Sequence, residues 1–245
     1  FSAYYKAGGV AVHSIGERGQ VDALPIACLK TGTGAHSIHT DPSNRFAFVP
    51  HIAENGPNRI FQFRFDETNG TISHNSPLTV DPGVNSGPRH YCFHPGKDIV
   101  YFSNEQGCSV SGYHLDISSG TLSHFQTVST LPLGYSRSNT CSQIQISPSG
   151  KYLYAPNRGH NSVACFAVDE SDGTLRAIGW ADADPVPRAF SLDPHGGFLF
   201  AAGLESGTLC TYRIDEMTGQ PYQISTHVVG KEPMWVLTTE LTGRG

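Results

Sequence analysis

The stretch Ser142-Gln-Ile-Gln-Ile-Ser-Pro148, followed by Ser149-Gly150, reads as a short strand that runs into a turn. Polar and apolar residues alternate, and then proline and glycine stop the alternation. Residues 152–155 offer a second strand and residues 162–168 a third, closed by the tight-turn pair Asp172-Gly173. Residues 174–179 lead into a fourth. No segment carries a helical apolar stripe of about 10 residues or more.

Outward from this unit the same template recurs three times. It appears as His36-Ser-Ile-His-Thr-Asp-Pro42, Arg89-His-Tyr-Cys-Phe-His-Pro95 and Arg188-Ala-Phe-Ser-Leu-Asp-Pro194. The four prolines lie 53, 53 and 46 residues apart, and six residues beyond each stands an aromatic: Phe48, Tyr101, Tyr154 and Phe200. Each unit then reaches a polar turn ending in glycine: Asn69-Gly70, Ser119-Gly120, Asp172-Gly173 and Thr218-Gly219. Four short strands per ~50 residues predict an all-β chain, a β-propeller of four-stranded blades. A two-sheet sandwich does not explain the period.

The expected organisation is one propeller domain over 1–245, with blades at 34–86, 87–140, 141–186 and 187–231 and a fifth made of 1–33 plus 232–241. Residues 1–10 line up with residues 200–209, so the chain opens inside a second strand, which we read as the start of a fragment. At the other end Pro233-Met-Trp-Val-Leu-Thr-Thr239 matches a first strand, and pairing it with the N-terminal strands would close a ring.

Hydrophobic residues make up 38% and charged residues 15%, the balance of a globular chain. A net charge of -5 without a Lys/Arg run argues against a nucleic-acid surface. No apolar stretch approaches the ~20 residues that span a bilayer. The six cysteines form no CxxC pair, and several sit in apolar runs, so they read as small buried hydrophobes of a reducing, cytoplasmic protein. No feature marks an oligomeric state.

In a propeller, the first strand of every blade lines the central channel. The position six before each proline, His36, Arg89, Ser142 and Arg188, with Met234 as a fifth equivalent, is therefore expected to face a common centre. Like charges converge there only if an anion or carboxylate lies between them. Glu105, at the end of a second strand, is the expected neighbour, with His90, Asn104, Asn157 and Arg158 as further candidates for substrate contact. His36, His39, His51, His90 and His94 show no zinc-type spacing; His36 and His39 should face opposite sides of a strand, and His94 should be a surface residue. Neither a metal nor another cofactor is expected, and no Gly-x-Ser-x-Gly elbow is present.

Gly34-Ala-His36-Ser, Gly87-Pro-Arg89-His, Asn104-Glu105, Pro187-Arg188-Ala-Phe and Pro233-Met-Trp235-Val resemble the blade signatures of propeller-type 6-phosphogluconolactonases. The fungal 3-carboxymuconate cyclases share those signatures, and the resemblance runs in order along the chain. It implies a seven-bladed fold with about five blades present and the N-terminal ones missing. It also implies a metal-independent site on His36, Arg89, Glu105 and Arg188. The implied activity is carboxylic-ester hydrolysis of a small anionic lactone such as 6-phosphogluconolactone. The alternatives are a 3-carboxymuconate-type lactonizing cycloisomerase and a non-catalytic interaction platform.

Overall fold

The structure is a computed structural model that describes residues 1–240. Every regular element in it is a strand, and the strands form five antiparallel sheets. The first sheet has three strands: β1 (Ser2–Tyr4), β2 (Gly9–Val12) and β3 (Ala27–Lys30). The second runs β4 (His39–Thr40), β5 (Phe46–His51), β6 (Arg59–Asp66), β7 (Thr71–Val80), and the third β8 (Pro88–Phe93), β9 (Ile99–Asn104), β10 (Ser109–Asp116), β11 (Thr121–Ser129). In the fourth the first strand is broken into β12 (Thr140–Cys141) and β13 (Gln145–Ile146), both paired with β14 (Tyr152–Arg158), followed by β15 (Ser162–Val168) and β16 (Leu175–Asp182). The fifth is β17 (Pro187–Leu192), β18 (Phe198–Gly203), β19 (Thr208–Ile214), β20 (Pro221–Val228). No helix among the described residues is long and apolar enough to cross a membrane.

Burial follows strand position. The second strands β5 and β9 are buried at every residue, which is why Phe46-Ala-Phe-Val-Pro-His51 is almost continuously apolar. The last strands β7 and β20 are largely exposed, and their sequences are correspondingly polar. The hairpins between third and fourth strands share one device. Asp66, Asp116, Asp169 and Asp215 each accept the backbone N–H two residues on, at 2.9, 2.8, 2.8 and 3.0 Å.

By its contacts the chain forms two compact units. The first comprises Phe1–Phe93, Asp98–Gly107 and Ser111–Phe125; the second comprises His94–Lys97, Cys108–Val110 and the chain from Gln126 on. In the first unit, Phe46, Phe48, Ile60, Tyr91, Val100, Phe102 and Tyr113 form one apolar cluster. The Tyr91 hydroxyl donates to the Phe48 carbonyl at 2.7 Å and accepts the His39 N–H at 2.8 Å, tying the first strand of the third sheet to the second. In the second unit, the polar half of the alternation in Ser142-Gln-Ile-Gln-Ile works between sheets instead of facing solvent. Ser142 Oγ donates to the Pro187 carbonyl at 2.8 Å, while Gln143 and Gln145 accept the Phe190 and Leu192 N–H groups, each at 2.8 Å. The alternation thus marks strands gripped on both sides.

Three expectations are corrected. Residues 233–239 form no strand, and position 241 of that expected element lies outside the described residues. Met234 and Trp235 are 55% and 64% exposed, and Thr238 Oγ1 instead hydrogen-bonds Ser191 Oγ at 2.8 Å. His94 is buried; its Nδ1 accepts the Gly96 N–H at 3.0 Å, and burial holds its pKa below the usual histidine value. Of the six cysteines, Cys28 is exposed and Cys92 and Cys108 are half-buried, so only Cys141, Cys165 and Cys210 fit the buried reading.

His51, at the end of β5, gives a pH test of the fold. Its ring is fully buried, donating from Nδ1 to the Val49 carbonyl at 3.1 Å and accepting the Thr31 hydroxyl at Nε2 at 2.9 Å. Burial lowers its pKa from 6.5 to about 4. The unfolded chain therefore binds a proton that the folded chain refuses. The contribution is complete above pH 6.5 and is lost as pH falls towards 4. Urea unfolding at a series of pH values should show this decline, and His51→Gln should make it shallower without abolishing it, because burial also lowers His39 to about 4; parallel curves for the two proteins would refute the assignment.

Candidate functional site

The side chain of Arg89 rises from the start of β8, and the geometry there is not that of a regular strand. Pro88 faces Asn104 and His90 faces Ser103, so Arg89 is an extra residue, a β-bulge. The same irregularity recurs at the matched position of every sheet that has a first strand. Pro187 faces Gly203 while Ala189 faces Ala202, which makes Arg188 the extra residue of β17. Ala35 faces His51 and His39 faces Phe48, four steps on one side against three on the other, with His36 inside the irregular stretch. Cys141 faces Asn157 and Gln145 faces Tyr154 with the same mismatch, and Ser142 lies within it. A bulge releases a side chain from strict alternation and re-aims it. The alternation argument that set His36 against His39 therefore does not apply.

In the first unit the bulge delivers Arg89 to Glu105. Arg89 Nε donates to Glu105 Oε2 at 2.8 Å, and the two side chains are only 3% and 15% exposed. The Glu105 N–H donates to the Gly87 carbonyl at 2.6 Å, so the chain just before the bulge fixes the carboxylate's backbone. A charge pair this far from water survives only with close, well-directed hydrogen bonds. His36 joins from the second sheet. Its N–H donates to the Pro50 carbonyl at 3.1 Å, and its neighbour Ser37 donates from Oγ to the Arg89 carbonyl at 3.1 Å. The His36 ring lies 5.0 Å from that of His90 and 5.8 Å, edge-on, from that of Tyr5.

Tyr5 was not singled out by sequence, yet the repeat carries the signal. It stands three residues before Gly8, as Glu105 stands three before Cys108, and Gly8 leads into β2 as Cys108 leads into β10, the matched strands of the repeat. Tyr5 thus occupies in the first sheet the place Glu105 holds in the third.

The remaining candidates divide. Asn104 is fully buried and donates from Nδ2 to Ser111 Oγ at 2.8 Å, bracing the strand end that carries Glu105. Asn157 is fully buried as well, but its amide is spent within the second unit. Its Oδ1 accepts Thr130 Oγ1 at 2.8 Å and Asn139 Nδ2 at 3.1 Å, while its Nδ2 donates to the Thr130 carbonyl at 2.8 Å. Such a residue holds loops together and offers nothing to a ligand. Half-buried Arg158 donates from Nη2 to the Cys141 carbonyl at 2.7 Å, and Arg188 is a half-buried residue of the second unit. Among the described residues no group of three or more His, Cys, Asp or Glu is placed to hold a metal ion.

Residues 1–238 match the family described as "Lactonase, 7-bladed beta-propeller". The chain belongs to this lactonase family. A 6-phosphogluconolactonase of Pectobacterium carotovorum is 35% identical over 236 residues, covering 96% of this chain and 70% of the relative. The periplasmic gluconolactonase of Pseudomonas aeruginosa superposes with a TM-score of 0.84 at 25% identity, covering 94% of this chain and 67% of that one. A Lactobacillus plantarum protein superposes with a TM-score of 0.87 at 24% identity, over 95% of this chain and 69% of its own, and shows the shared fold. The all-β propeller reading and the family resemblance thus hold, and the chain is a member of a lactone-hydrolase family.

Proposed function

We propose that the protein opens a small anionic sugar lactone, 6-phosphogluconolactone or a close analogue, without a bound metal. The observation that carries this reading is the buried Arg89–Glu105 pair built on a bulge in a lactonase-family chain, with the His36 ring 5.0 Å from that of His90, the residue after Arg89. Hydrolysis requires water to add to the lactone carbonyl carbon while a base removes its proton. The carbonyl oxygen then bears negative charge, which a guanidinium stabilises. When the ring C–O bond breaks, the departing alkoxide takes a proton, leaving a hydroxy acid.

Arg89 is the cation for the oxyanion and Glu105 or His36 the base. Arg188 enters by repeat position: it holds in β17 the bulged place that Arg89 holds in β8. A name on the P. carotovorum relative favours the phosphorylated substrate, and that of the P. aeruginosa relative favours gluconolactone itself. Six cysteines without a disulfide fit a cytoplasmic setting.

The test is direct hydrolysis of 6-phosphogluconolactone and of gluconolactone, followed as acid release above the spontaneous rate, with a carboxymuconate as the competing substrate. Catalysed opening of either sugar lactone supports the proposal. Turnover of the muconate alone, or of none of the three, overturns it.

A further inference from the structure

The residues immediately before β2, β6, β10, β15 and β19, one strand in each sheet, are Gly8, Asn58, Cys108, Asn161 and Gly207, and all five have a left-handed backbone, with φ of 71°, 52°, 45°, 55° and 68°. Glycine and asparagine are the residues that enter this region readily. A cysteine does not, so Cys108 occupies a position where its side chain is a conformational liability. What it gains is a second thiol. Cys141, fully buried at the end of β12 in the same unit, shares its surroundings with Cys108: Asn157 Oδ1 accepts the Cys141 thiol at 3.8 Å and Asn139 Nδ2 at 3.1 Å, and that same Asn139 amide reaches the Cys108 sulfur. Around the pair, Asn139 Nδ2 donates to Cys108 Sγ at 3.3 Å, Thr130 Oγ1 lies 3.1 Å from Cys141 Sγ, and Arg158 Nη2 holds the Cys141 carbonyl at 2.7 Å. Cys108 is half-buried, so a small solute can reach it, whereas Cys141 is enclosed.

We propose that Cys108 and Cys141 are a peroxide-reactive dithiol, with Cys108 as the attacking sulfur and Cys141 as the resolving one. The Cys108 thiolate attacks one oxygen of a hydroperoxide, the O–O bond breaks, and the departing oxygen leaves as water or an alcohol after taking a proton. Cys108 is then a sulfenic acid. The Cys141 sulfur attacks it, the S–O bond breaks, and water departs with the Cys141 proton as the S–S bond forms. Each sulfur is oxidised by one electron and the peroxide is reduced by two.

The electrostatics agree with these roles. The hydrogen bond from Cys141 lowers the Cys108 thiol to about 6 against the opposing effect of burial, with help from Asn139 and the Arg158 charge; the same hydrogen bond, with burial, pushes Cys141 upward. The thiol form of Cys108 donates to the Asn139 carbonyl at 3.1 Å, a bond that is given up when the thiolate forms. Only the thiolate is nucleophilic. Burial pushes Cys165 to about 12 and raises Cys210, which makes both inert comparators, and Cys28 is exposed.

The test is treatment of the fully reduced chain with one equivalent of hydrogen peroxide near pH 7, read by intact mass and non-reducing peptide mapping. The expected result is loss of two hydrogens, a linked Cys108–Cys141 peptide, and two of the six thiols lost to titration. Cys141→Ser should stop at a sulfenic acid on Cys108 that a cyclic dione captures. Cys108→Gly supplies the residue the backbone prefers; it should unfold at a temperature no lower than the parent and resist the same dose. Unchanged thiols, a disulfide to any other cysteine, first oxidation at exposed Cys28, or a Cys108→Gly variant as reactive as the parent would each overturn the proposal.

Discussion

Arg89→Ala is expected to lower kcat/KM for lactone hydrolysis by roughly 10²- to 10³-fold, the loss found when one donor to a developing oxyanion is removed. The substitution also strips Glu105 of the cation that bonds it at 2.8 Å, so a fall in stability accompanies the fall in rate. Glu105→Gln separates the two effects. The glutamine keeps the volume and still presents an oxygen to Arg89 Nε, so the unfolding temperature should move little. It is not a useful base, so if Glu105 performs that role kcat should fall by about 10²-fold or more. If His36 is the base, His36→Asn takes the larger loss and Glu105→Gln acts through Arg89 alone. Losses in the double variant Arg89→Ala/Glu105→Gln should fall well short of the product of the single losses, because the two groups act as one unit. Both single variants hydrolysing lactone at the parent rate, with parent-like unfolding temperatures, would remove the pair from the reaction.

The residues of this pair were legible because repetition turns sequence distance into spatial equivalence. Arg89 and Glu105 could be chosen from repeat position and resemblance, and the structure joins them. The bulge that joins them was not legible. One inserted residue changes neither composition nor hydrophobicity, and only the ladder partners of Pro88 and His90 reveal it. Asn157 shows the opposite failure. It matches Asn104 in type and place, but Thr130 and Asn139, on a loop no repeat predicts, consume its amide. Pro233-Met-Trp-Val has the pattern of a first strand yet forms none, since a strand is defined by the neighbour that receives its hydrogen bonds. Pattern proposes an element, and a partner completes it.

The packing between sheets leads to the other large effect. Gly120→Ala is expected to destabilise the protein by about 2–4 kcal/mol, combining the cost of a side chain at positive φ with that of overfilling a closed core. For a chain of this length that corresponds to a fall of roughly 5–15 °C in unfolding temperature. Gly120 closes the β10–β11 hairpin at φ 73°, and a Cβ built on it would overlap the ring of Phe46, which begins β5 in the adjoining sheet. Phe46 is 2% exposed, and the guanidinium groups of Arg45 and Arg64 lie 5.3 and 5.7 Å from its ring centroid, so the ring has nowhere to retreat. Gly219 repeats the arrangement against Tyr152 in the second unit, where alanine should have a similar effect. Gly19→Ala isolates the backbone contribution: φ there is 77°, but nothing lies within 4 Å of the added carbon, so the cost should be about 1 kcal/mol or less. Combining Gly120→Ala with Phe46→Leu should recover part of the loss, because the smaller side chain vacates the contested space. Thermal unfolding of these four variants is the measurement, and a shift for Gly120→Ala no larger than that for Gly19→Ala would mean that the hairpin glycines serve their turns alone and do not set how closely neighbouring sheets approach.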